Sequence, residues 1–368
     1  MRDPIWQFSL QSLHALAWGG LLLLALYFCV RLLSLRTLVI ATAVCTFCLI
    51  VLGAYVRLTD AGLGCPDWPG CYGQLTPLHA EQHIRSAEAA APAGPVSVPK
   101  AWREMLHRYA ASLVGAMILA ILLQGLINRR RQRIDPDDPA QAIALPLLLV
   151  GVVILQGLIG KWTVTLLLKP AIVTLHLLGG MLILALLTWL VAGHLALKGA
   201  QRPVAARSLR PWAALGLLIL WGQIALGGWV STNYAGLVCV DFPTCNGRLL
   251  PAMDFEHGFH VLRELGMTAA GEPLSSEALN AIHWAHRAGA LATFLYLALL
   301  GGWTARTIGL RSHGIALLAM LVVQDALGIG NVLSMLPLPV AVAHNAGAAL
   351  LLALLVMLNF ALYSEPAR

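Results

Sequence analysis

The apolar residues of this chain fall into long blocks separated by short polar connections. Blocks of about twenty residues or more lie roughly at 8–30, 38–58, 104–127, 142–162, 172–195, 212–232, 280–303, 314–333 and 341–362. A helix of about 20 apolar residues spans the hydrocarbon core of a bilayer. The pattern therefore predicts an all-α polytopic membrane protein and excludes a soluble globular domain.

Composition and charge refine this picture. Hydrophobic residues make up 59% of the 368 residues and charged residues 11%, against about 25% charged residues in ordinary soluble domains. The net charge of +7 comes largely from short connections that contain Arg31 and Arg36, Arg129 to Arg131 and Arg133, Lys198 to Arg210, and Arg306 and Arg311. If the blocks alternate in direction, these connections lie on one side, which the positive-inside rule makes cytoplasmic. The charge thus indicates topology and no nucleic-acid partner.

The chain contains an internal repeat. Segment 53–77 matches segment 227–251 without a gap at a constant offset of 174, and 12 of the 25 positions are identical. Further along, His107-Arg108 matches His286-Arg287. Segment 156–180 matches 324–348 at an offset of 168, with His176 opposite His344. We therefore predict one four-helix bundle in each half of the chain. Both bundles have the same orientation because the offset is an even number of helices.

The repeat also suggests domain boundaries. We expect an additional N-terminal transmembrane helix within 1–36, a first bundle at 37–196, a cytoplasmic linker at 197–211 and a second bundle at 212–363. Block 8–30 is longer than the apolar region of a signal peptide and is not followed by a small-residue cleavage site. No Arg-rich transit peptide is evident, which favours a bacterial cytoplasmic membrane.

Four cysteines form two Cys-x5-Cys pairs, Cys65 with Cys71 and Cys239 with Cys245. Both pairs lie in connections that the charge rule places outside the cytoplasm, where disulfides persist. The spacing allows the Cα atoms to approach the roughly 5.5–6 Å of a disulfide if the intervening segment turns. The sequence therefore predicts one disulfide within each loop.

Four histidines are both intramembrane and repeat-related: His107, His176, His286 and His344. Counted along the apolar blocks, all four lie about 5–10 Å below the outer helix ends. Ionisable residues at membrane depth are costly and usually functional. Two imidazoles at one level on facing bundle helices are a common way to ligate haem iron axially.

Other metals fit this pattern less well. Zinc or copper needs a third or fourth ligand, which Glu104 could supply in the first half and no carboxylate supplies in the second. Arg108 and Arg287 directly follow a candidate ligand, and a guanidinium group pairs well with haem propionates. Snorkelling of these side chains to the interface is the alternative reading.

The two halves differ one helical turn before the first histidine of each pair. Glu104 precedes His107 by three residues, whereas His283 takes that place before His286. A carboxylate beside a haem ligand can orient water, relay protons or stabilise positive charge. Its alternative role is that of a satisfied hydrogen-bond partner near a helix N-terminus.

These residues together resemble the haem A synthase family. The resemblance rests on GAYVRLTDAGLGCPDWPGCYG, on Glu104-Met-Leu-His107-Arg108, and on QGLIGKWTV with His176 downstream, and it repeats through CVDFPTC, His286-Arg287 and His344. It covers roughly residues 38–362. The block at 8–30 is additional to the eight helices of that family.

The resemblance implies an oxidoreductase that converts the C8 methyl group of haem O to the formyl group of haem A by successive hydroxylation, for cytochrome oxidase. It implies haem b between His286 and His344, and substrate haem O flanked by His107 and His176, with Glu104 catalytic. Delivery by haem O synthase and an unidentified electron acceptor would follow. The alternatives are a dihaem membrane electron carrier and a periplasmic thiol or quinone oxidoreductase. The second leaves four matched intramembrane histidines unexplained.

Overall fold

The computed structural model describes residues 19–20, 23–24, 26–131, 143–195 and 204–363. Within these ranges, eight helices are long and apolar enough to cross a membrane, and no β-strand is present. This confirms the prediction of an all-α polytopic protein with eight core helices. Most of the predicted N-terminal helix at 8–30 lies outside the described residues.

Helix packing divides the chain into two compact units, Met1–Leu168 and Lys169–Arg368. In the first unit, α3 packs against both α1 and α4, and the short helix α2 lies against α3. These helices are α1 (Leu35–Leu58), α2 (Glu81–Ala90), α3 (Val98–Arg130) and α4 (Ala144–Thr165).

In the second unit, α10 packs against α5, α6 and α9, while α8 packs against α6, α7 and α9. The helices of this unit are α5 (Pro170–Leu195), α6 (Arg210–Thr232), α7 (Phe255–Gly258), α8 (Ser276–Arg306), α9 (Arg311–Leu333) and α10 (Leu338–Tyr363).

This division falls one helix earlier than the domain boundary expected from the repeat. The sequence suggests a linker at 197–211, whereas the packing divides between Leu168 and Lys169. The physical reason is that α5 packs against α6 and α10. A first four-helix bundle that includes α5, at 37–196, stays a prediction.

Serine caps extend two helices beyond their apolar blocks. The Ser97 hydroxyl accepts a hydrogen bond from Lys100 N at 3.4 Å at the start of α3, and Ser275 accepts one from Ala278 N at 3.2 Å at the start of α8. His107 and His286 therefore lie roughly 14–15 Å along their helices. The apolar blocks suggested a shallower position because they omit these polar first turns.

The repeat also appears in the backbone. Positive φ angles at residues other than glycine are uncommon, yet they recur at the repeat offsets in both units. The corresponding pairs are Asp60 and Tyr234 (49° and 54°), Tyr72 and Asn246 (51° and 54°), Leu167 and Met335 (50° and 59°), and Leu168 and Leu336 (60° and 58°). The two halves therefore share their turns as well as their helices.

Candidate functional site

Each unit has a disulfide loop that connects two of its long helices. Cys65 bonds to Cys71 with a Cα–Cα distance of 4.9 Å, and Cys239 bonds to Cys245 with a Cα–Cα distance of 4.6 Å. Both distances lie within the usual range for disulfides. The prediction of one disulfide within each loop is confirmed.

In the first unit, a buried ion pair on α3 binds the disulfide loop. Glu104 Oε1 lies 2.5 Å from Arg108 Nη2, and Glu104 Oε2 accepts a hydrogen bond of 2.8 Å from Cys65 N. Arg108 Nη1 donates to the carbonyl oxygens of Asp67 at 2.9 Å and Gly70 at 2.5 Å. Charge-assisted hydrogen bonds of this kind are stronger than neutral ones. The pair thus connects the loop to the helix that contains His107.

In the second unit, Arg287 occupies the corresponding place. Its Nη1 donates to the carbonyl oxygens of Asp241 at 2.9 Å and Thr244 at 2.8 Å, and its Nη2 donates to that of Cys239 at 2.8 Å. Arg287 Nε lies 3.3 Å from Nε2 of the buried His283. The second unit therefore keeps the arginine contact with the loop but has a neutral acceptor in place of the carboxylate.

These contacts bear on the roles predicted for Arg108 and Arg287. The described hydrogen bonds use both Nη atoms of each guanidinium group to hold loop carbonyls or Glu104. Binding of a haem propionate by either arginine stays a prediction. The sequence could not show which acceptors the two arginines contact.

Each disulfide loop contains an aspartate, Asp67 or Asp241, that binds backbone amides of the loop. The sequence predictions did not include these two residues, although they are in register in the repeat. Asp67 accepts hydrogen bonds from Tyr72 N at 2.6 Å and Gly73 N at 2.7 Å. Asp241 accepts from Asn246 N at 2.5 Å and Gly247 N at 2.9 Å. Together with the Thr244 hydroxyl, the Gly247 and Asn246 amides lower the pKa of Asp241 to about 2.

His286 of α8 and His344 of α10 both belong to the second unit. Both side chains are half-buried in the unit. The His344 ring lies beside the backbone of Gln324 on α9.

Glycines make room for these rings. A Cβ atom built on Gly227 would lie 3.1 Å from Cε1 of His286, and one on Gly328 would lie 3.1 Å from Cε1 of His344. In the first unit, a Cβ on Gly53 would lie 3.0 Å from Cε1 of His107. An alanine at any of these positions would require the neighbouring ring to shift by a few tenths of an ångström. Gly53 and Gly227 are in register in the repeat, which is the signal that could have identified them.

The other predicted pair is divided between the units. His107 lies on α3 in the first unit, and His176 lies on α5 in the second. His176 is also surrounded by protein and partly accessible. Its pairing with His107 at a substrate haem stays a prediction.

The donor set of the second unit suits haem better than a bare metal ion. In the part of the chain that the structure describes, no group of three or more histidine, cysteine, aspartate or glutamate side chains could hold a metal. Two imidazoles are sufficient for haem because the porphyrin supplies the other iron ligands. His286 and His344, with the glycines against their rings, are residues that could hold a haem iron.

Known proteins are similar to this chain over most of its length. Residues 36–356 match the COX15-CtaA family, described as "Cytochrome oxidase assembly protein". A protein of Shewanella oneidensis named "Heme A synthase" is 38% identical, over 90% of this chain and 98% of its own length. Proteins of the same name from Caulobacter sp. strain K31 and Caulobacter vibrioides are 29% and 30% identical, each over 84% of this chain and 91% of its own length.

Proposed function

The chain belongs to the COX15-CtaA family of cytochrome oxidase assembly proteins, and on this premise we propose that it is a haem A synthase. It is a membrane oxidoreductase whose substrate is haem O and whose product is haem A. The reaction oxidises the C8 methyl group of the substrate to a formyl group by successive hydroxylation. The observation that carries this proposal is the repeated, intramembrane histidine pattern within a chain similar to heme A synthases over almost its full length.

The second unit is proposed to hold haem b as a resident cofactor, whose iron His286 and His344 would bind. The two glycines that lie against their rings, Gly227 and Gly328, support this assignment. Haem ligated by two histidines supplies one-electron transfer when bound. The protein contributes the ligand rings, their orientation and the exclusion of water.

The first half is proposed to act on the substrate. Glu104, His107 and His176 are the residues that we assign to it, with the carboxylate acting on developing charge or on a proton. The asymmetry of the repeat supports this assignment because His283 takes the place of Glu104 in the second half. An electron carrier with two equivalent haems would not need this difference.

The proposed location is the bacterial cytoplasmic membrane, with the disulfide loops on its outer side. The chain is a multi-pass membrane protein with eight candidate spans in its described part, and the relatives named above are bacterial. Basic residues at the opposite helix ends from the disulfide loops, such as Arg129, Arg130 and Arg306, support this orientation. Haem O would be supplied by a haem O synthase, and the electron acceptor is not identified.

The haem content of the purified protein tests the proposal. We expect low-spin haem b, together with haem O or haem A, and the loss of most haem b in His286→Ala and in His344→Ala. His260→Ala is the matched control, because His260 is an exposed loop histidine of the same unit. Retention of a normal low-spin spectrum in both ligand variants would overturn the cofactor site. Haem b alone, without conversion of haem O in cells, would indicate the electron carrier.

A further inference from the structure

The segment at 249–254 runs along the N-terminal part of α8. Three hydrogen bonds join the two, and they connect Asp254 N with the Glu277 carbonyl oxygen (3.0 Å), Asn280 Nδ2 with the Ala252 carbonyl oxygen (3.3 Å), and Trp284 Nε1 with the Leu249 carbonyl oxygen (2.9 Å). From residue 277 to residue 284 a helix advances about 10 Å. The segment therefore extends from the first turn of α8 toward the middle of the helix, and Leu249 lies at the level of Trp284.

Trp284 begins an apolar stripe on α8. Leu291, Leu295 and Leu299 are exposed. They follow Trp284 at spacings of seven, four and four residues, which places all four side chains on one face of the helix. α8 is one of the candidate membrane spans. Because lipid acyl chains are as apolar as leucine side chains, the exposed leucines of such a helix form a lipid-facing surface.

The depth of Trp284 follows from the length of α8. The helix ends at Arg306, whose charged group belongs at a membrane surface. Trp284 lies about 33 Å from Arg306 along the helix axis, and the hydrocarbon core of a bilayer is about 30 Å thick. Trp284 is therefore at the opposite boundary between hydrocarbon and headgroups, which is where tryptophan is enriched in membrane proteins.

Apolar side chains of the segment, and of the residue that follows it, are exposed at this level. Leu249 and Leu250 are each 68% exposed, and Phe255 is 46% exposed, with its ring centroid 6.4 Å from that of Trp284. The carbonyl groups of residues 249 and 252 are hydrogen-bonded to α8. Contact with lipid therefore leaves these carbonyl groups satisfied, which hydrocarbon requires because it offers no hydrogen-bond partner.

The first half of the repeat differs at this place. The offset of 174 aligns Leu249 with Leu75 and Leu250 with Thr76. The Leu75 carbonyl oxygen accepts a hydrogen bond of 2.5 Å from the Tyr109 hydroxyl group on α3, so the backbone contact with the long helix recurs. Leu75 itself is half-buried, and Thr76 is both polar and half-buried. The exposed leucine pair therefore belongs to the second half.

We propose that Leu249, Leu250 and Phe255 form a lipid anchor, a surface that binds the acyl chains of phospholipids at the headgroup boundary. The lipid-facing stripe of α8 continues into this anchor through Trp284, which favours lipid over a protein as the partner. Arg248 is exposed beside the anchor and offers a positive charge to lipid phosphate groups. The anchor holds the neighbouring disulfide loop at the membrane surface. It goes beyond the proposed function because it needs no bound haem.

Site-directed spin labelling of the full-length protein tests the proposal. The three cysteines outside the disulfides are first replaced by alanine, namely Cys29, Cys45 and Cys48. A label is then placed in Leu249→Cys, Leu250→Cys or Phe255→Cys, and Glu256→Cys is the matched control because Glu256 is the exposed neighbour of Phe255. Each variant is reconstituted as one chain per nanodisc of phosphatidylcholine and phosphatidylglycerol. The measurements are the collisions of the label with oxygen, which concentrates in lipid, and with a water-soluble nickel chelate.

We expect the labels at residues 249, 250 and 255 to be relaxed by oxygen and protected from the nickel chelate, at a depth of about 5–10 Å into the boundary between headgroups and acyl chains. The label at residue 256 should be relaxed by the chelate. Equal relaxation by the chelate at residues 249, 250 and 256 would show that the surface faces water and would overturn the anchor. Protection from both reagents would show that protein covers these residues, which also overturns it. Should Leu249→Cys not accumulate in the membrane, the labels at residues 250 and 255 decide in the same way.

Discussion

Replacing Glu104 by glutamine tests both the loop geometry and the proposed chemistry of the first half. The carboxylate receives two donors at once, Arg108 Nη2 at 2.5 Å and Cys65 N at 2.8 Å. An amide has one oxygen, so Glu104→Gln satisfies one donor and turns an NH2 group toward the other. The variant keeps the size of the side chain and removes its charge.

The expected cost follows from the burial of the pair. The side chains of Arg108 and Glu104 are only 12% and 6% exposed, and removing one partner of a buried ion pair typically costs about 3–5 kcal/mol. Because one acceptor remains, we expect about 2–4 kcal/mol. At about 1.4 kcal/mol for each factor of ten, local opening of the loop becomes roughly 30- to 700-fold more frequent.

Hydrogen exchange at the Cys65 amide measures this opening, because that N–H donates to Glu104 directly. Glu81→Gln is the matched control. Glu81 pairs with Arg85 in an exposed i,i+4 ion pair of the same unit, which contributes below about 1 kcal/mol. An unchanged exchange rate at Cys65 in Glu104→Gln would refute the structural part of the reasoning.

Haem extraction from cells tests the chemical part. We expect Glu104→Gln to keep haem b in the second unit and to accumulate haem O or a hydroxylated intermediate, because losing the carboxylate slows chemistry more than it weakens binding. The substitution at the corresponding position of the second half, His283→Ala, should affect haem A production much less. Production of haem A at the parental rate in Glu104→Gln would show that the carboxylate has only a structural role.

Three further predictions concern the loops and the glycines. Gly227→Ala should displace the His286 ring and lower the haem b content. Gly222→Ala on the same helix should not, because a Cβ atom at residue 222 meets nothing within 4 Å. Equal haem b contents in the two variants would contradict the packing argument. Thiol labelling of intact cells should find Cys65, Cys71, Cys239 and Cys245 protected until a reductant is added, and labelling without reductant would contradict both disulfides. The folded-state pKa of Asp241 is lowered from 3.8 to about 2, so its stabilisation of the loop is complete above about pH 4 and is lost as the pH falls through 2. Asp241→Asn should remove this pH dependence. Hydrogen exchange of the Asn246 and Gly247 amides measures it.

Several features of the protein could be read from the sequence because they depend on short stretches of chain. The apolar blocks predicted the eight described spans, and α4 and α9 begin and end within a few residues of their blocks. The Cys-x5-Cys spacing predicted both disulfides because five intervening residues are enough to close each loop. The repeat identified the four intramembrane histidines and the difference between Glu104 and His283.

Other features depend on which helix faces meet, and spacing along a helix does not determine this. The sequence showed that Arg108 follows His107, but not that its guanidinium group binds the loop carbonyls and Glu104. It placed Gly227 in register with Gly53, but not against the ring of His286. The contact of Gln223 with His286 joins residues 63 positions apart.

The sequence by itself therefore determined the membrane-spanning all-α class, the repeat, the disulfides and the histidines that set the haem hypothesis. Only the tertiary structure decided that α5 packs with the second unit and that Glu104 and Arg108 hold a disulfide loop. It also decided that a glutamine lies beside one ligand histidine. The physical reason is that hydropathy and spacing act within one segment, whereas side-chain partners are chosen by the packing of segments far apart in the chain.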